Sequence, residues 1–401
     1  MDENEPMTEA EDLDQTEPEQ ENTEEEPRAK KRRSKTLSRI LAGILTLLLI
    51  VLAALVFLFR DALSGEGLRR IFGKETAETE TREAFTYETG AQQMFSAAGD
   101  GLAVASSSSV QLLNAAGEIV FKQVVSYDSP AVFGSGKGTL FCDLGGTHAV
   151  YVTPEGEGQA LPSGGTVLTG SVNDDGWFCL VTAEAGYKAL VSVYNSACEK
   201  QFEWWSGSGY VLRAALSPDD RMLAVLCAER DCTRLHVFAL NSETERGGAL
   251  IENALYYDLD WLNADTICAV GETGLCFFDS SGVQKGAYAL EGLYLLDYAL
   301  SRSGFAALYV SAYRSGAGGT LLTLGSDGRT LGSTTLDRDV VSLSVEGRQL
   351  LVMTAGSLAL YNQELVRQYA NDTLMTAKRA ILRPAGDILL LHAYSAEKFS
   401  F

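Results

Sequence analysis

The chain has 401 residues, of which 46% are hydrophobic and 21% are charged, enough apolar material for a sizeable core. It carries 53 acidic and 32 basic side chains, and its formal net charge is −21. Because an acidic domain repels phosphate backbones, the composition argues against nucleic acid as a partner.

The N-terminal 39 residues divide sharply by charge. Residues 1–27 carry thirteen Asp or Glu, no Lys or Arg and few apolar side chains, a pattern that predicts a disordered cytoplasmic tail. Residues 28–39 carry no acidic side chain. The basic residues of this run, which we expect to orient the adjacent segment in a membrane, are Arg28, Lys30, Lys31, Arg32, Arg33, Lys35 and Arg39.

Residues 40–59 read ILAGILTLLLIVLAALVFLF and contain no charge. A helix of this length, at about 1.5 Å per residue, spans roughly 30 Å, the thickness of a bilayer's hydrocarbon core. The run is longer than the roughly 7–15 apolar residues of a cleaved signal peptide, and it ends in bulky side chains. It predicts an uncleaved transmembrane signal anchor in the cell membrane, with the lipid bilayer as a partner, the N-terminus cytoplasmic and the C-terminal domain extracytoplasmic.

Residues 60–83 are rich in Gly, Thr and Glu and show no strand pattern, so they predict a stalk. From residue 84 to residue 401, a Gly or Asp precedes a short apolar strand at regular intervals that average about 41 residues. These positions are Gly101, Gly138, Gly176, Asp220, Asp265, Gly304, Gly347 and Gly386. A period of this length, with several strands per unit, indicates an all-β fold, a β-propeller.

A second apolar strand and a polar turn follow each of these positions, as in VSVYNSACEKQF at 191–202 and LALYNQELV at 358–366. Such turns predict tight hairpins between the third and fourth strands of a blade. Eight positions favour eight blades, or seven if one of them is spurious. The last unit lacks a fourth strand, which residues 84–89 could supply to close the ring.

The seven cysteines show no metal-ligand spacing. Cys142, Cys179 and Cys268 lie within apolar runs, where a small buried side chain is expected. Cys227 and Cys232 flank a predicted hairpin, and the sequence leaves open whether they form a disulfide or remain two packed thiols.

The segment ALSPDDRMLAVL at 215–226 resembles the turn of WD40-like and TolB-like propellers. The hairpin at 191–202 is similar to pyrroloquinoline-quinone-type (PQQ-like) propeller repeats. The order of tail, anchor and propeller resembles an uncharacterised domain-of-unknown-function family of membrane-anchored propellers in Gram-positive bacteria. These resemblances imply a propeller fold and a recognition role rather than a reaction.

The chain has no GxSxG, HExxH or P-loop motif, and we predict no catalytic residue, metal or cofactor. The expected function is therefore non-catalytic binding, scaffolding or sensing at a bacterial envelope, with a protein or cell-envelope polymer as partner. The alternative is an anchored propeller enzyme, either a hydrolase or a quinone-linked oxidoreductase. That alternative requires titratable side chains that converge on a pocket.

Aromatic residues cluster where one predicted blade leads into the next. They occupy the same phase of successive repeats, so they could form one exposed recognition surface or fill the wedges between blades. The predicted binding residues are Trp204, Trp205, Tyr210, Tyr256, Tyr257 and Tyr294.

Overall fold

The structure is a computed structural model, and it describes residues 82–401 apart from 243, 316–317 and 373–375. The predicted tail, the basic run, the span at 40–59 and nearly all of the stalk lie outside the described residues. Within the described part every regular element is a β-strand, and no helix there is long and apolar enough to cross a membrane.

The strands form eight antiparallel sheets of four strands each, numbered here as blades 1 to 8 in chain order. Blades 1 to 4 comprise β2 (Met94–Ala98), β3 (Gly101–Ala105), β4 (Ser109–Leu113), β5 (Ile119–Val124), β6 (Pro130–Gly134), β7 (Thr139–Asp143), β8 (Ala149–Val152), β9 (Gly158–Ala160), β10 (Val167–Val172), β11 (Phe178–Thr182), β12 (Ala189–Tyr194), β13 (Lys200–Ser206), β14 (Tyr210–Leu216), β15 (Met222–Ala228), β16 (Cys232–Ala239) and β17 (Glu245–Glu252).

The remaining four blades have the same order of strands, except that the fourth strand of blade 8 comes from the N-terminal end of the domain. They comprise β18 (Tyr256–Asn263), β19 (Thr266–Gly271), β20 (Gly274–Asp279), β21 (Gln284–Ala289), β22 (Tyr294–Ser301), β23 (Phe305–Ser311), β24 (Gly319–Gly325), β25 (Thr330–Leu336), β26 (Val340–Glu346), β27 (Gln349–Thr354), β28 (Ser357–Asn362), β29 (Arg367–Asn371), β30 (Arg379–Leu382), β31 (Ile388–Leu391), β32 (Ser395–Phe399) and β1 (Arg82–Thr86).

Each of the eight predicted Gly or Asp positions lies at or just before the second strand of a blade, so the prediction of eight blades is confirmed over seven. Several of these residues have the left-handed backbone that the turn requires. Gly304 has φ +96°, and Asp220 has φ +58°, a conformation that Asp tolerates better than most side chains. The residues that tolerate a left-handed backbone therefore mark the turn before the second strand in each repeat.

The ring closes through the N-terminal strand, as predicted. β1 is the outer strand of blade 8 and pairs antiparallel with β32, so that Thr86 lies opposite Ser395. The strand begins at Arg82, two residues before the predicted start of the domain. Blade 8 is therefore complete, with three strands from the C-terminal end of the domain and one from its N-terminal end. Phe85 of β1 packs in the core between blades 8 and 1.

The first strands of successive blades contact one another from blade 1 through blade 8, so they surround the axis of the ring. The connections between the second and third strands, and those from one blade to the next, lie at one end of the sheets, here called the upper face. The other two connections of each blade, between the first and second strands and between the third and fourth, lie at the lower face.

The hydrophobic core consists of eight clusters, one between each pair of neighbouring blades. Both faces of a middle strand are buried, because alternate side chains pack against the preceding and the following blade. In β15, Val225 packs toward blade 3 and Ala224 toward blade 5. This two-sided burial explains why the second strands read as continuous apolar runs.

All seven cysteines are free. Cys142, Cys179 and Cys268 are fully buried, which confirms the prediction for these three. Cys227 and Cys232 do not form a disulfide, and in the antiparallel register Cys227 lies opposite Arg234 instead.

A buried ion pair lies at the junction between blades 8 and 1. Arg383 donates two hydrogen bonds of 2.6 Å to the Asp387 carboxylate, and their side chains are only 2% and 9% exposed. Arg383 also donates to the Asp100 carbonyl of blade 1, and Lys398 pairs with Asp387 at 2.7 Å. Burial raises the pKa of Asp387, but the hydrogen bonds from Arg383 and Lys398 outweigh it and lower the pKa overall.

Glycines in outer strands let the next blade approach closely. At Gly286 in β21, a Cβ atom would overlap the carbonyl oxygen of Asp327, which lies in a lower turn of blade 6. Gly332 in β25 stands in the same relation to the Glu364 carbonyl of blade 7. These glycines are required by close backbone approach rather than by an unusual φ.

We expect Gly286→Ala to lower the free energy of unfolding by about 1–3 kcal/mol, because the added methyl group must displace backbone of the next blade. Gly207→Ala is the matched control, since no atom lies within 4 Å of a Cβ built there. Urea unfolding of both variants measures the difference. Equal stabilities would show that the outer contact between blades 5 and 6 tolerates the extra volume.

Candidate functional site

The six predicted aromatic residues separate into buried and exposed sets. Tyr256 is only 5% exposed and packs in the core between blades 4 and 5, where the Cys276 thiol donates to its hydroxyl oxygen at 3.1 Å. The prediction that Tyr256 is exposed is therefore wrong. Trp204 is half-buried against blade 4, with its ring centroid 5.0 Å from His236 and 5.2 Å from Phe238.

The other four predicted residues are exposed at the upper face. The exposed fractions are 43% for Trp205, 61% for Tyr210, 38% for Tyr257 and 41% for Tyr294. Trp205 lies at the end of an outer strand, whereas the three tyrosines lie at the start of first strands. Together they form an arc over blades 3 to 6.

Three further exposed rings lie on the upper face, on connections between second and third strands. They are Tyr187, Tyr313 and Tyr394. Of the eight exposed aromatic rings in the described part of the chain, seven are therefore on this face, and the eighth, Tyr369, is on outer strand β29. The sequence reasoning missed these three because it considered only the connections between blades.

Several of these rings contact another ring or a basic side chain. The Tyr187 and Trp205 centroids lie 6.5 Å apart. The Lys188 ammonium lies 4.6 Å from the Tyr210 ring centroid and within 3.2 Å of its hydroxyl. The Arg314 guanidinium lies 5.0 Å from the Tyr294 ring centroid. Two of the exposed rings therefore already make cation–π contacts within the chain.

A β-bulge recurs near the upper end of the first strand in blades 3 to 7. In each of these blades the first strand contains one extra residue that has no partner in the second strand. In blade 5, for example, Tyr256 and Asp258 pair with the adjacent residues Gly271 and Val270, and Tyr257 is the extra residue. The extra residues, here called the bulge residues, are Leu168, Leu212, Tyr257, Leu296 and Val341. Each is apolar or aromatic, and Leu168, Tyr257 and Val341 are at least 38% exposed.

The residue after each bulge is polar. These five residues, here called the polar belt, are Thr169, Arg213, Asp258, Asp297 and Ser342. A bulge re-aims the side chain that follows it, and Arg213 thereby contacts Thr169 and Asp258 of the two neighbouring blades. The sequence carries this signal as two apolar residues followed by a polar one, but the sequence reasoning did not use it.

Arg213 is at the centre of the belt. Its guanidinium lies 3.4 Å from the Thr169 hydroxyl, donates to the Gly170 carbonyl at 3.0 Å and pairs with Asp258 at 3.2 Å. It also lies 5.2 Å from the Phe133 ring centroid of blade 2. A side chain from blade 4 that reaches blades 2, 3 and 5 must lie near the axis, where the blades converge.

The belt continues through blades 5 to 8. The Tyr298 hydroxyl donates to Asp258 at 2.7 Å, and the Leu343 amide donates to Asp297 at 3.1 Å. Ser342 exchanges hydrogen bonds of 3.3 Å with Ala380 in blade 8. Each of these contacts joins two neighbouring blades.

Burial dominates the electrostatics of the belt. It raises the pKa of Asp297, and the amides of Tyr298 and Leu343 offset only part of that increase. Burial and the adjacent Asp258 carboxylate both raise the pKa of Tyr298. Tyr298 therefore remains a neutral hydrogen-bond donor across the physiological range.

A second arginine crosses the ring at the lower face. Arg302 of blade 6 pairs with Asp174 at 2.6 Å and donates to the Val172 carbonyl at 3.2 Å, both in blade 3. The nitrogen that donates to Val172, Nη2, also lies 3.7 Å from Asp260 of blade 5. Arg302 therefore spans two intervening blades.

Charged side chains do converge near the axis, but Arg213, Asp258 and Arg302 contact partners in other blades. These contacts connect different blades of the ring. A cavity of about 440 Å³ at the upper face contains no belt residue in its lining, which is formed by Leu336, Asp337, Arg338, Thr354, Gly356, Ser357 and Asp372.

We expect Arg213→Met to lower the free energy of unfolding by about 1–3 kcal/mol, because it leaves the Asp258 carboxylate without its counter-charge. Arg221→Met is the control: that side chain is 81% exposed and lies 3.7 Å from Asp219, so the change should stay within about 0.5 kcal/mol. Thermal and urea unfolding measure both. A neutral Arg213→Met would mean that the belt does not stabilise the ring.

The chain resembles solved propellers in fold. The C-terminal WD40 domain of Sif2 superposes with a TM-score of 0.54 at 10% identity, covering 80% of this chain and 98% of that domain. BamB from Moraxella catarrhalis superposes with a TM-score of 0.51 at 13% identity, covering 80% of this chain and 100% of BamB. At these identities the likeness shows the fold alone.

No curated protein matches the chain in sequence at a significant level. A protein-family model does match, over residues 73–381, which is most of the chain and nearly all of the propeller. The resemblance to a family of unknown function is thereby confirmed: the chain belongs to DUF5711, a family of unknown function.

Proposed function

We propose that this chain is a membrane-anchored, extracytoplasmic propeller of a bacterial envelope that binds a partner non-catalytically through its upper face. The observation that carries the proposal is the concentration of seven of the eight exposed aromatic rings of the described part on that face. Exposed aromatic side chains are enriched in protein interfaces, since they bury large areas at a small cost in conformational entropy.

The charged residues near the axis support binding over catalysis. Arg213 and Asp258 are engaged with each other and with neighbouring blades, so their charges already have partners. A rigid ring that presents side chains on loops at one end is suited to recognition, because function tends to lie on loops held by a stable scaffold.

The proposed anchor is the uncharged run at 40–59, preceded by seven basic residues. With epitope tags at both termini, protease added to intact spheroplasts should remove the C-terminal tag and spare the N-terminal one. Permeabilised spheroplasts, the control, should lose both tags. Loss of the N-terminal tag alone from intact spheroplasts would contradict the orientation.

The neighbours Tyr256 and Tyr257 provide a matched test of the upper face. Tyr256→Ala should destabilise the fold by about 3–5 kcal/mol, because it empties a buried site between blades 4 and 5. Tyr257→Ala and Trp205→Ala should leave the melting temperature nearly unchanged, because both side chains are exposed.

Cross-linking pull-downs of the full-length chain measure partner capture by the same variants. The exposed-site variants should reduce capture while remaining as stable as the wild type. If both retain full capture at wild-type stability, the upper face is not the binding surface.

A further inference from the structure

The loop 253–255, which leads to Tyr257, lies between two acidic connections of the upper face. The Asn253 amide donates to the Asp231 carbonyl at 3.0 Å, and the Glu272 amide donates to the Leu255 carbonyl at 3.1 Å. These backbone bonds fix Asp231 of blade 4 and Glu272 of blade 5 on either side of the loop. Burial raises the pKa of Tyr257, and the nearby carboxylates of Asp258 and Glu272 raise it further.

The carboxylates of this sector are exposed. Asp231, Glu252, Glu272 and Glu291 have no ion-pair partner among the described residues. Arg230 is an exposed basic residue in the same region. The Asp258 carboxylate, next to Tyr257 in the chain, is held by Arg213 and Tyr298. The sector is therefore acidic.

The exposed tyrosines of the two blades next to blade 5 each contact a basic side chain: Lys188 lies over the Tyr210 ring and Arg314 over the Tyr294 ring. No Lys or Arg of the described residues lies over the Tyr257 ring. An aromatic face attracts a cation through its quadrupole, and nearby carboxylates strengthen that attraction. Tyr257 thus combines a partly exposed ring that no cation of the described residues covers with nearby carboxylates.

We propose that the partner of the upper face is a protein segment that places a Lys or Arg side chain on the Tyr257 ring, between Asp231 and Glu272. This inference rests on the proposed function and narrows it to a basic peptide. Charge complementarity favours this partner over an anionic polymer, which the carboxylates would repel. A neutral polysaccharide would not need them.

The test uses the full-length chain in detergent and three probes. These are a fluorescein-labelled peptide of alternating Lys and Gly, the same peptide with Glu in place of Lys, and a labelled N-acetylglucosamine hexamer. Fluorescence anisotropy measures their binding. The double variant Asp231→Asn with Glu272→Gln should weaken binding of the Lys peptide by roughly tenfold, from about two- to fivefold per charge.

A matched double variant controls for the change in net charge. Glu155→Gln with Glu157→Gln removes two exposed carboxylates from a lower turn of blade 2, with the same change in net charge. It should leave binding of the Lys peptide unchanged. Tyr257→Phe should retain binding, because the ring remains, whereas Tyr257→Leu should lose about two- to fivefold.

The outcomes separate the two proposals. If both double variants weaken binding equally, or if the hexamer binds more tightly than the Lys peptide and is insensitive to Asp231 and Glu272, the basic partner is ruled out. Continued sensitivity to Tyr257→Leu would then leave the upper face as the binding surface. If ring substitutions affect neither probe binding nor capture in pull-downs, the proposed function itself fails.

Discussion

One extra residue near the start of the first strand, repeated in blades 3 to 7, determines both the bulge residues and the polar belt. The bulge adds an apolar or aromatic residue, exposed at Leu168, Tyr257 and Val341, and turns the next, polar side chain toward the adjacent blade. A regular strand would bury both residues against the flanking blades in strict alternation. The same local irregularity thus exposes Tyr257 and directs Asp258 to Arg213.

The polar belt and the apolar clusters stabilise the ring in different ways. The clusters between blades are non-directional, and comparable packing could be achieved at slightly different blade angles. The hydrogen bonds of the belt are directional, and Arg213 can contact Thr169, Gly170 and Asp258 together only at one spacing of three blades. Buried polar groups that lose their partners are costly, so the belt favours one ring geometry over its neighbours.

The repeat and its closure could be predicted from the sequence because they depend on local chemistry. Gly304 and Asp220 mark turns that need a left-handed backbone, and such residues are recognisable in isolation. The burial of Tyr256 could not be predicted in the same way. Tyr256 and Tyr257 are adjacent tyrosines in one phase of the repeat, and which of them is buried depends on the bulge, a property of pairing with β19.

Closure of the ring by β1 also has a mechanical consequence. Arg82 lies opposite Lys398 at the lower end of blade 8, and the strand then runs to Thr86 at the upper end. Tension on Arg82 along the strand axis would load the bonds to β32 in shear, because ladder hydrogen bonds lie perpendicular to the strands. Bonds in shear resist together, whereas bonds that are peeled fail one after another. The strand that joins the two ends of the domain is thus placed to resist a pull on the chain before it.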